Sequence, residues 1–175
     1  MKTFVLLLAL SSIVLGFRSA DSQKKLYGPL RNYLKASEAN FDQIPEARRA
    51  QLTQSAKELS DLLLDHPQLL YICTHNSRLS QISQLFAQAA AVYYGLQFET
   101  HSAGTKAMAF HANARAALER AGMIFHEETN ALGVNPVWLV KMGGNLPSIR
   151  SYSKTLEDSE LPKQDFVAIM VCDQA

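Results

Sequence analysis

The sequence is poor in cysteine and in net charge. Its two cysteines, Cys73 and Cys172, are too few for a secreted scaffold built on disulfides, so each thiol has to be considered individually. The formal net charge is +1, and the lack of a basic stripe or an acidic tail gives no electrostatic reason to expect nucleic acid as a partner.

Repeats and low-complexity segments are also lacking. Hydrophobic residues at 47% and charged residues at 19% exclude a disordered polyelectrolyte, and 175 residues suit one domain with a helical appendage.

A long apolar run lies at the N-terminus. The run TFVLLLALSSIVLGF follows Lys2, is too short for a comfortable membrane span and has the length of a secretory h-region. We therefore interpret residues 1–20 as a signal-like segment and expect a periplasmic or secreted protein whose mature chain starts near Phe17 or Asp21. The alternatives are an uncleaved membrane anchor and a cytoplasmic protein with a buried N-terminal helix.

Residues 24–66 have the pattern of a helical extension. Two helices are predicted, with a break near Asn40 and a restart at Pro45, a residue that suits the first turn of a helix. Apolar residues recur at helical spacing in the second helix, at Leu52, Ala56, Leu59 and Leu63. We expect this face to pack against the domain that follows.

Short apolar strands alternate with helices from residue 67 onward. The predicted strands are LLYIC, FETHSAG, MIFHE, NPVWLV and FVAIMVC. The predicted helices are one that ends near Gly95, with Ile82, Leu85, Phe86, Ala89 and Tyr93 on one face, and ANARAALERAG, which Gly122 closes. This order predicts an α/β fold, a doubly wound parallel sheet of about four strands with flanking helices and a helical N-terminal extension. Ligands bind at the carboxyl ends of such strands, where both cysteines lie.

The segment CTHNSRLS joins the first predicted strand to a helix. Backbone N–H groups in such a loop, together with the helix N-terminus, can bind an anion and lower the pKa of a thiol from its usual value of about 8.5. Cys73 is therefore a candidate nucleophile. Asn76 and Ser77 can brace a tight loop, the Ser80 hydroxyl can hydrogen-bond the thiolate, and the Arg78 fork can grip an oxyanion. The alternative is that Cys73 is a small buried apolar residue and Arg78 a solvated charge.

The motif CTHNSRLSQ after LLYI, followed by THSAGT and ALERAGM, resembles the low-molecular-weight protein-tyrosine phosphatases and their thiol-dependent arsenate reductase relatives (the phosphotyrosine protein phosphatase I superfamily). The resemblance covers roughly residues 26–175. It is greatest to a bacterial branch whose loop reads Cys-Thr-His-Asn-Ser-Arg-Arg-Ser and which carries a helical N-terminal extension. Residues 67–175 would then form the phosphatase-like domain.

The resemblance implies roles for individual residues. Cys73 would attack phosphorus or arsenic, Asn76 would brace the loop, and Ser80 would stabilise the thiolate. The implied oxyanion-binding residues are Thr74, His75, Asn76, Ser77, Arg78 and Ser80. The substrate would be phosphotyrosine in a phosphorylated protein, a similar phosphomonoester, or a small oxyanion such as phosphate or arsenate, and neither cofactor nor metal is implied.

Two features depart from the family pattern. Leu79 stands where the family has its anion-gripping arginine. Cys172 matches a redox cysteine of the reductases, but the segment expected to carry the general-acid aspartate and a resolving cysteine would follow Ala175. We therefore expect a fragment, a truncated product or a degenerate copy. Three hypotheses follow: a phosphatase that works through a cysteinyl-phosphate, a catalytically impaired oxyanion-binding module, and an arsenate reductase that uses both thiols.

The other polar candidates give weaker signals. The remaining histidines have no metal-ligand spacing, namely His101, His111 and His126. Three late aspartates are interpreted as solvated loop residues, namely Asp158, Asp165 and Asp173. Trp138 is interpreted as a core residue, and no metal site is predicted.

Overall fold

The structure is a computed structural model that describes residues 20–62, 68–128 and 133–174. The signal-like segment, except for Ala20, and Leu63 of the predicted apolar face lie outside these residues. The helices bounded within them are α1 (Gly28–Glu38), α2 (Glu46–Leu62), α3 (Leu79–Tyr94) and α4 (Ala112–Arg120), with a 3-10 turn at Phe41–Gln43. The strands are β1 (Gln68–Cys73), β2 (Glu99–Gly104), β3 (Ile124–Glu128), β4 (Val137–Lys141), β5 (Ile149–Ser151) and β6 (Phe166–Met170).

The first two helices break where the sequence predicts, and α2 begins directly after Pro45. Their packing differs from the expectation. In α2, the Leu52 side chain is 45% exposed and Ala56 is also exposed, so this face is not packed against the rest of the described chain at these positions. Helix α1 and the residues just before it are part of the main core instead, because Leu26 and Leu30 are buried there. None of the helices in the described ranges is both long and apolar enough to cross a membrane.

Strands β1, β2 and β6 form a parallel sheet in the order β2-β1-β6. Gln68 at the start of β1 is in register with Glu99 of β2 and with Phe166 of β6. Strand β1 is therefore central, and its side chains are buried or half-buried along its length. The prediction of an α/β fold with a parallel sheet flanked by helices is confirmed. The carboxyl ends of β1 and β2 lie side by side, since Cys73 is paired with Gly104.

A second sheet contains β3, β4 and β5 and is antiparallel. MIFHE and NPVWLV are predicted as further strands of a fold with about four parallel strands, and a doubly wound sheet of four parallel strands is not confirmed among the described residues. The physical reason is the connection. Only residues 129–136 lie between β3 and β4, whereas a parallel crossover needs a dozen residues or more, usually with a helix.

Strand β6 differs from its predicted place in the middle of a sheet. Within the described part of the chain it is paired with β1 alone, which makes it an edge strand. Phe166 and Met170 are accordingly exposed, although their apolar character is typical of a covered strand.

The main core lies between helices α1, α3 and α4 and the antiparallel sheet. Helix α3 contributes the face predicted from its spacing, with Leu85, Ala89 and Tyr93 buried. The other buried members are Leu26, Leu30, Phe110, Ala114, Leu118, Met123, Val140 and Met142. Helix α3 ends as predicted at Gly95, whose φ of 70° is the left-handed conformation common after the last helical turn. Burial of this face fixes α3, and with it the loop between β1 and α3.

Candidate functional site

The loop between β1 and α3 leads directly from the buried Cys73 to the first turn of a helix. Strand β1 ends at Cys73, and α3 begins at Leu79. The first N–H groups of any helix have no acceptor within the helix, and the N–H of Ser80 hydrogen-bonds the Cys73 sulfur instead. A thiol at the end of a central strand is thus placed beside N–H donors that have no acceptor within the helix.

Every carbonyl group from residue 73 to residue 78 accepts a hydrogen bond from outside the loop. In order of the accepting residue, the donors are Thr105 N–H (3.2 Å), Lys106 N–H (2.8 Å), the Ser153 hydroxyl (2.8 Å), the Gln81 side-chain amide (3.2 Å), His111 N–H (3.0 Å) and Ile82 N–H (2.9 Å). Because the carbonyls point outward to these donors, the concave side of the loop is formed by N–H groups. Successive N–H groups in a concavity form an anion-binding nest.

Hydrogen bonds around the Cys73 sulfur favour its thiolate form. The sulfur lies 3.0 Å from the Ser80 Oγ. Desolvation by burial is the largest single influence and raises the pKa of the Cys73 thiol, but the Ser80 hydroxyl and the N–H groups of Ser80, Asn76 and His75 together outweigh it. The pKa of Cys73 therefore lies below its ordinary value, and the thiolate fraction at neutral pH is raised.

Asn76 is fully buried and holds the loop in its shape. Its φ of 44° is in the left-handed region, which asparagine tolerates better than most residues. Its Oδ1 accepts from the Lys154 N–H at 2.9 Å and from the Gln81 amide at 3.1 Å, while its Nδ2 donates to the Ser80 Oγ at 2.8 Å. These bonds offset the cost of the unusual backbone conformation and of burying an amide.

The thiol opens into a cavity of about 240 Å³. Its lining residues are Cys73, Thr74, His75, Ser77, Arg78, Leu79, Met108, His111 and Cys172. Of the residues predicted to bind an oxyanion, Asn76 and Ser80 do not line the cavity, because both are fully buried behind the loop. They act on the thiol and on the loop backbone and not on a ligand directly.

Leu79 lies on the cavity wall with 52% of its surface exposed. The adjacent Arg78 also lines the cavity, one residue before the position where the phosphatases that the sequence resembles have their arginine. No carboxylate of the described residues lines the cavity. Positive charge and apolar surface are therefore next to the thiol, and a carboxylic general acid is not.

Cys172 lines the same cavity as Cys73. Its sulfur is 3.5 Å from the Thr74 Oγ1, and Val171 N–H donates to the Ile72 carbonyl at 2.9 Å, which continues the pairing of β6 with β1. The pKa of Cys172 lies below its ordinary value. The largest cause is the hydrogen bond with the Thr74 hydroxyl, and the next is the hydrogen bond from the Gln174 N–H. Both cysteines are free thiols in this structure.

The sequence did not predict the residues that contact the loop from distant parts of the chain. Ser153 donates to the His75 carbonyl and accepts from the Met108 N–H at 2.8 Å, and Asn135 donates to the Ser153 carbonyl at 2.7 Å. Their distance along the chain from Cys73 leaves no spacing signal. Gln81 could have been found, because a glutamine in the first turn of α3 on its buried side is unusual.

Of the other candidates from the sequence, His111 lines the same cavity as Cys73, whereas His101, Trp138 and Asp158 lie elsewhere. His101 lines a different cavity of about 310 Å³, and Trp138 packs in the main core with the Arg115 guanidinium 3.9 Å from its ring centroid. Asp158 accepts from the Tyr152 hydroxyl. Among residues 20–62, 68–128 and 133–174, no three His, Cys, Asp or Glu side chains are grouped so that they could hold a metal ion.

The chain matches no family model, no curated protein and no solved structure. The resemblance to the phosphatases therefore rests on the motifs quoted from the sequence. The chemistry of the site has to be argued from its geometry.

We predict that Ser80→Ala slows alkylation of Cys73 by iodoacetamide near neutral pH. The Ser80 hydrogen bond lowers the thiol pKa, so its loss raises the pKa and reduces the thiolate fraction at a given pH. The expected decrease in rate is about tenfold or more, because a hydrogen bond to a charged group contributes about 1.5–3 kcal/mol. The measurement is the rate of alkylation against pH in a Cys172→Ser background.

The matched control is Ser102→Ala. Ser102 is also fully buried, but its hydroxyl has no hydrogen-bond partner within the described residues. Its removal should leave the alkylation profile unchanged. If Ser80→Ala has the profile of the control, Ser80 does not stabilise the thiolate.

We also predict that Gly104→Ala destabilises the protein by about 1–3 kcal/mol, the usual cost of overpacking. A Cβ at residue 104 would lie 2.6 Å from the Asn76 N and 2.8 Å from the Lys106 O, both of them backbone atoms that cannot move aside. Urea unfolding measures the effect. Gly144→Ala is the control, because no atom lies within 4 Å of a Cβ added at residue 144. Equal unfolding midpoints for the two variants would contradict the prediction.

Proposed function

We propose that the chain is a low-molecular-weight protein-tyrosine-phosphatase-like domain that hydrolyses phosphotyrosine or similar phosphomonoesters. The observation that carries the proposal is the loop in which six successive carbonyls point outward and the N–H groups of His75, Asn76 and Ser80 are directed at a buried thiol. A structural cysteine at a strand end needs no such arrangement. A nucleophile that receives an oxyanion does.

Catalysis would proceed in two steps through a cysteinyl-phosphate. The Cys73 thiolate attacks phosphorus, so the sulfur–phosphorus bond forms while the ester oxygen–phosphorus bond breaks, and the ester oxygen leaves as an anion that takes a proton from water. Water then attacks phosphorus, releases phosphate and restores the thiolate. The loop N–H groups and Arg78 stabilise the charge on the phosphoryl oxygens.

The cavity favours an aryl ester as the substrate. Within the described residues no carboxylate is available there to protonate the leaving oxygen. A phenol, with a pKa of about 10, leaves more readily without an acid than an alkyl alcohol does. The exposed Leu79 and Met108 add apolar surface beside the thiol for an aromatic ring.

The second candidate is an oxyanion-binding module that has lost the chemistry. It is favoured by Leu79, which removes a donor from the position where the family has its arginine. Loss of one donor to a transition-state oxyanion reduces kcat by about 10²–10³. The backbone N–H groups can still bind phosphate in this case, because they do not depend on that side chain.

Arsenate reduction is a third candidate, and the presence of Cys172 in the same cavity favours it. Two thiols supply the two electrons that reduce arsenate to arsenite, and they end as a disulfide. Mass spectrometry after incubation with arsenate would detect a Cys73–Cys172 disulfide if the reaction occurs.

The proposal extends to the sheet. In a doubly wound sheet of about four parallel strands, a further strand would be paired with the free edge of β6. Phe166 and Met170 lie on one face of β6, and their exposure supports the covering helix that the crossover to such a strand would provide.

We also propose that the chain is exported and that its N-terminal segment is removed. The support is the apolar run after Lys2. A low-pKa thiolate outside a reducing compartment oxidises easily, so the exported protein would require reductant. N-terminal sequencing that finds Met1 on a cytosolic protein would contradict the export.

We predict that the chain hydrolyses p-nitrophenyl phosphate, that Cys73→Ser is inactive, and that Leu79→Arg raises kcat. The added guanidinium supplies the missing donor, which is worth up to about 10²–10³ in rate. Leu79→Lys is the control that adds charge without the planar fork. Equal rates for the wild-type chain and Cys73→Ser would end the catalytic proposal, and calorimetric binding of phosphate or vanadate by such a chain would support the module.

A further inference from the structure

Gln81 is one of the buried side chains that connect the loop to a distant segment of the chain. Its exposure is 0%, and its amide nitrogen contacts three acceptors: the Tyr152 carbonyl at 2.7 Å, the Asn76 carbonyl at 3.2 Å and the Asn76 Oδ1 at 3.1 Å. Gln81 is the last residue of the quoted motif CTHNSRLSQ, but neither the roles that the resemblance implies nor the proposed chemistry uses its side chain. Its position behind the loop and its burial require a reason.

The orientation of each amide in this network is determined by backbone groups that have only one possible role. The Tyr152 carbonyl can only accept, so the Gln81 amide presents its nitrogen there. The Lys154 N–H can only donate, so Asn76 presents Oδ1 to it at 2.9 Å. The Asn76 Nδ2 is then the atom that donates to the Ser80 Oγ.

This orientation determines what Ser80 can do. A serine hydroxyl has a single proton, and its oxygen already accepts from Asn76. The proton is therefore free to point at the Cys73 sulfur, 3.0 Å away, where it stabilises a thiolate. With the opposite Asn76 orientation, Oδ1 would take the Ser80 proton and the thiol form would be favoured.

We propose that Gln81 is a positioning residue that, together with the Lys154 N–H, holds Asn76 in the orientation that directs the hydrogen bonds from Asn76 through Ser80 to Cys73. Gln81 holds the Asn76 side chain by Oδ1 and the left-handed Asn76 backbone by its carbonyl. The effect of Gln81 on catalysis rests on the proposed function. The effect of Gln81 on the pKa of the Cys73 thiol does not.

The test compares Gln81→Met with Gln84→Met, both in a Cys172→Ser background so that Cys73 is the only thiol. Methionine keeps the length of glutamine and removes the donor. Gln84 is a matched control, because it is 3% exposed on the same helix and donates to a backbone carbonyl, that of Thr100, at 2.9 Å. Both variants lose a buried hydrogen bond, but only one of them lies on the chain to the sulfur.

We expect Gln81→Met to slow iodoacetamide alkylation of Cys73 near neutral pH by about three- to tenfold and to move the alkylation profile to higher pH, as loss of an ordinary hydrogen bond would. Gln84→Met should keep the background profile even if its thermal midpoint falls. Gln81→Leu, which suits a helix well, repeats the comparison with a different apolar side chain. If both Gln81 variants keep the background profile, or if Gln84→Met moves it equally, the assignment is overturned.

Catalysis gives a second readout where the chain turns over p-nitrophenyl phosphate. Gln81→Met should move the acidic limb of the pH–rate profile upward, because more base is then needed to form the thiolate. If the chain does not turn over p-nitrophenyl phosphate, the proposed hydrolysis is contradicted. The role of Gln81 is then decided by the alkylation comparison. An unchanged acidic limb in an active Gln81→Met chain would contradict the assignment.

Discussion

The need to pair six successive carbonyl groups is the constraint on which the site depends. A loop that turns its N–H groups inward must turn its carbonyls outward, and a buried carbonyl without a donor costs about 1–3 kcal/mol. The donors come from the segment after β2, from the start of α3 and from Ser153. Parallel pairing of β1 with β2 brings the first of these segments to the loop, since Cys73 is paired with Gly104. The fold around the loop is thus the means by which the loop keeps its shape.

Local patterns in the sequence predicted most of the elements, and tertiary pairing decided the rest. The face of α3 and the strand before Cys73 follow from spacing over a few residues, which one turn or one strand determines. Whether β3 and β4 lie parallel or antiparallel depends on the length and path of the segment that connects them. The apolar composition of the two strands does not predict this. The contact of Gln81 with Tyr152 joins residues 71 positions apart, so no local pattern could reveal it. The loop was predictable, and the residues that support it were not.

Leu79 in place of an arginine changes the charge of the loop but leaves the interactions that give the loop its shape. The outward carbonyls, the left-handed Asn76 and the hydrogen bond of Ser80 to the sulfur involve neither Leu79 nor the Arg78 side chain. A leucine is also a better helix former than most residues at the start of α3. If the loop binds an anion as proposed, its backbone does so without the arginine that the phosphatases it resembles have at this position. Binding and turnover would then be distinct properties of this loop.

In the proposed reaction the same N–H groups would serve the thiolate first and the oxyanion afterwards. The N–H groups of His75, Asn76 and Ser80 lower the pKa of Cys73 by stabilising negative charge on sulfur. A phosphoryl group attacked by this sulfur would bring its charged oxygens to the same donors. The donors need little rearrangement, because their carbonyls are already held from outside. The lowered thiol pKa and the proposed oxyanion site thus have one backbone arrangement as their common cause, and the hydrogen bonds that fix Asn76 maintain that arrangement.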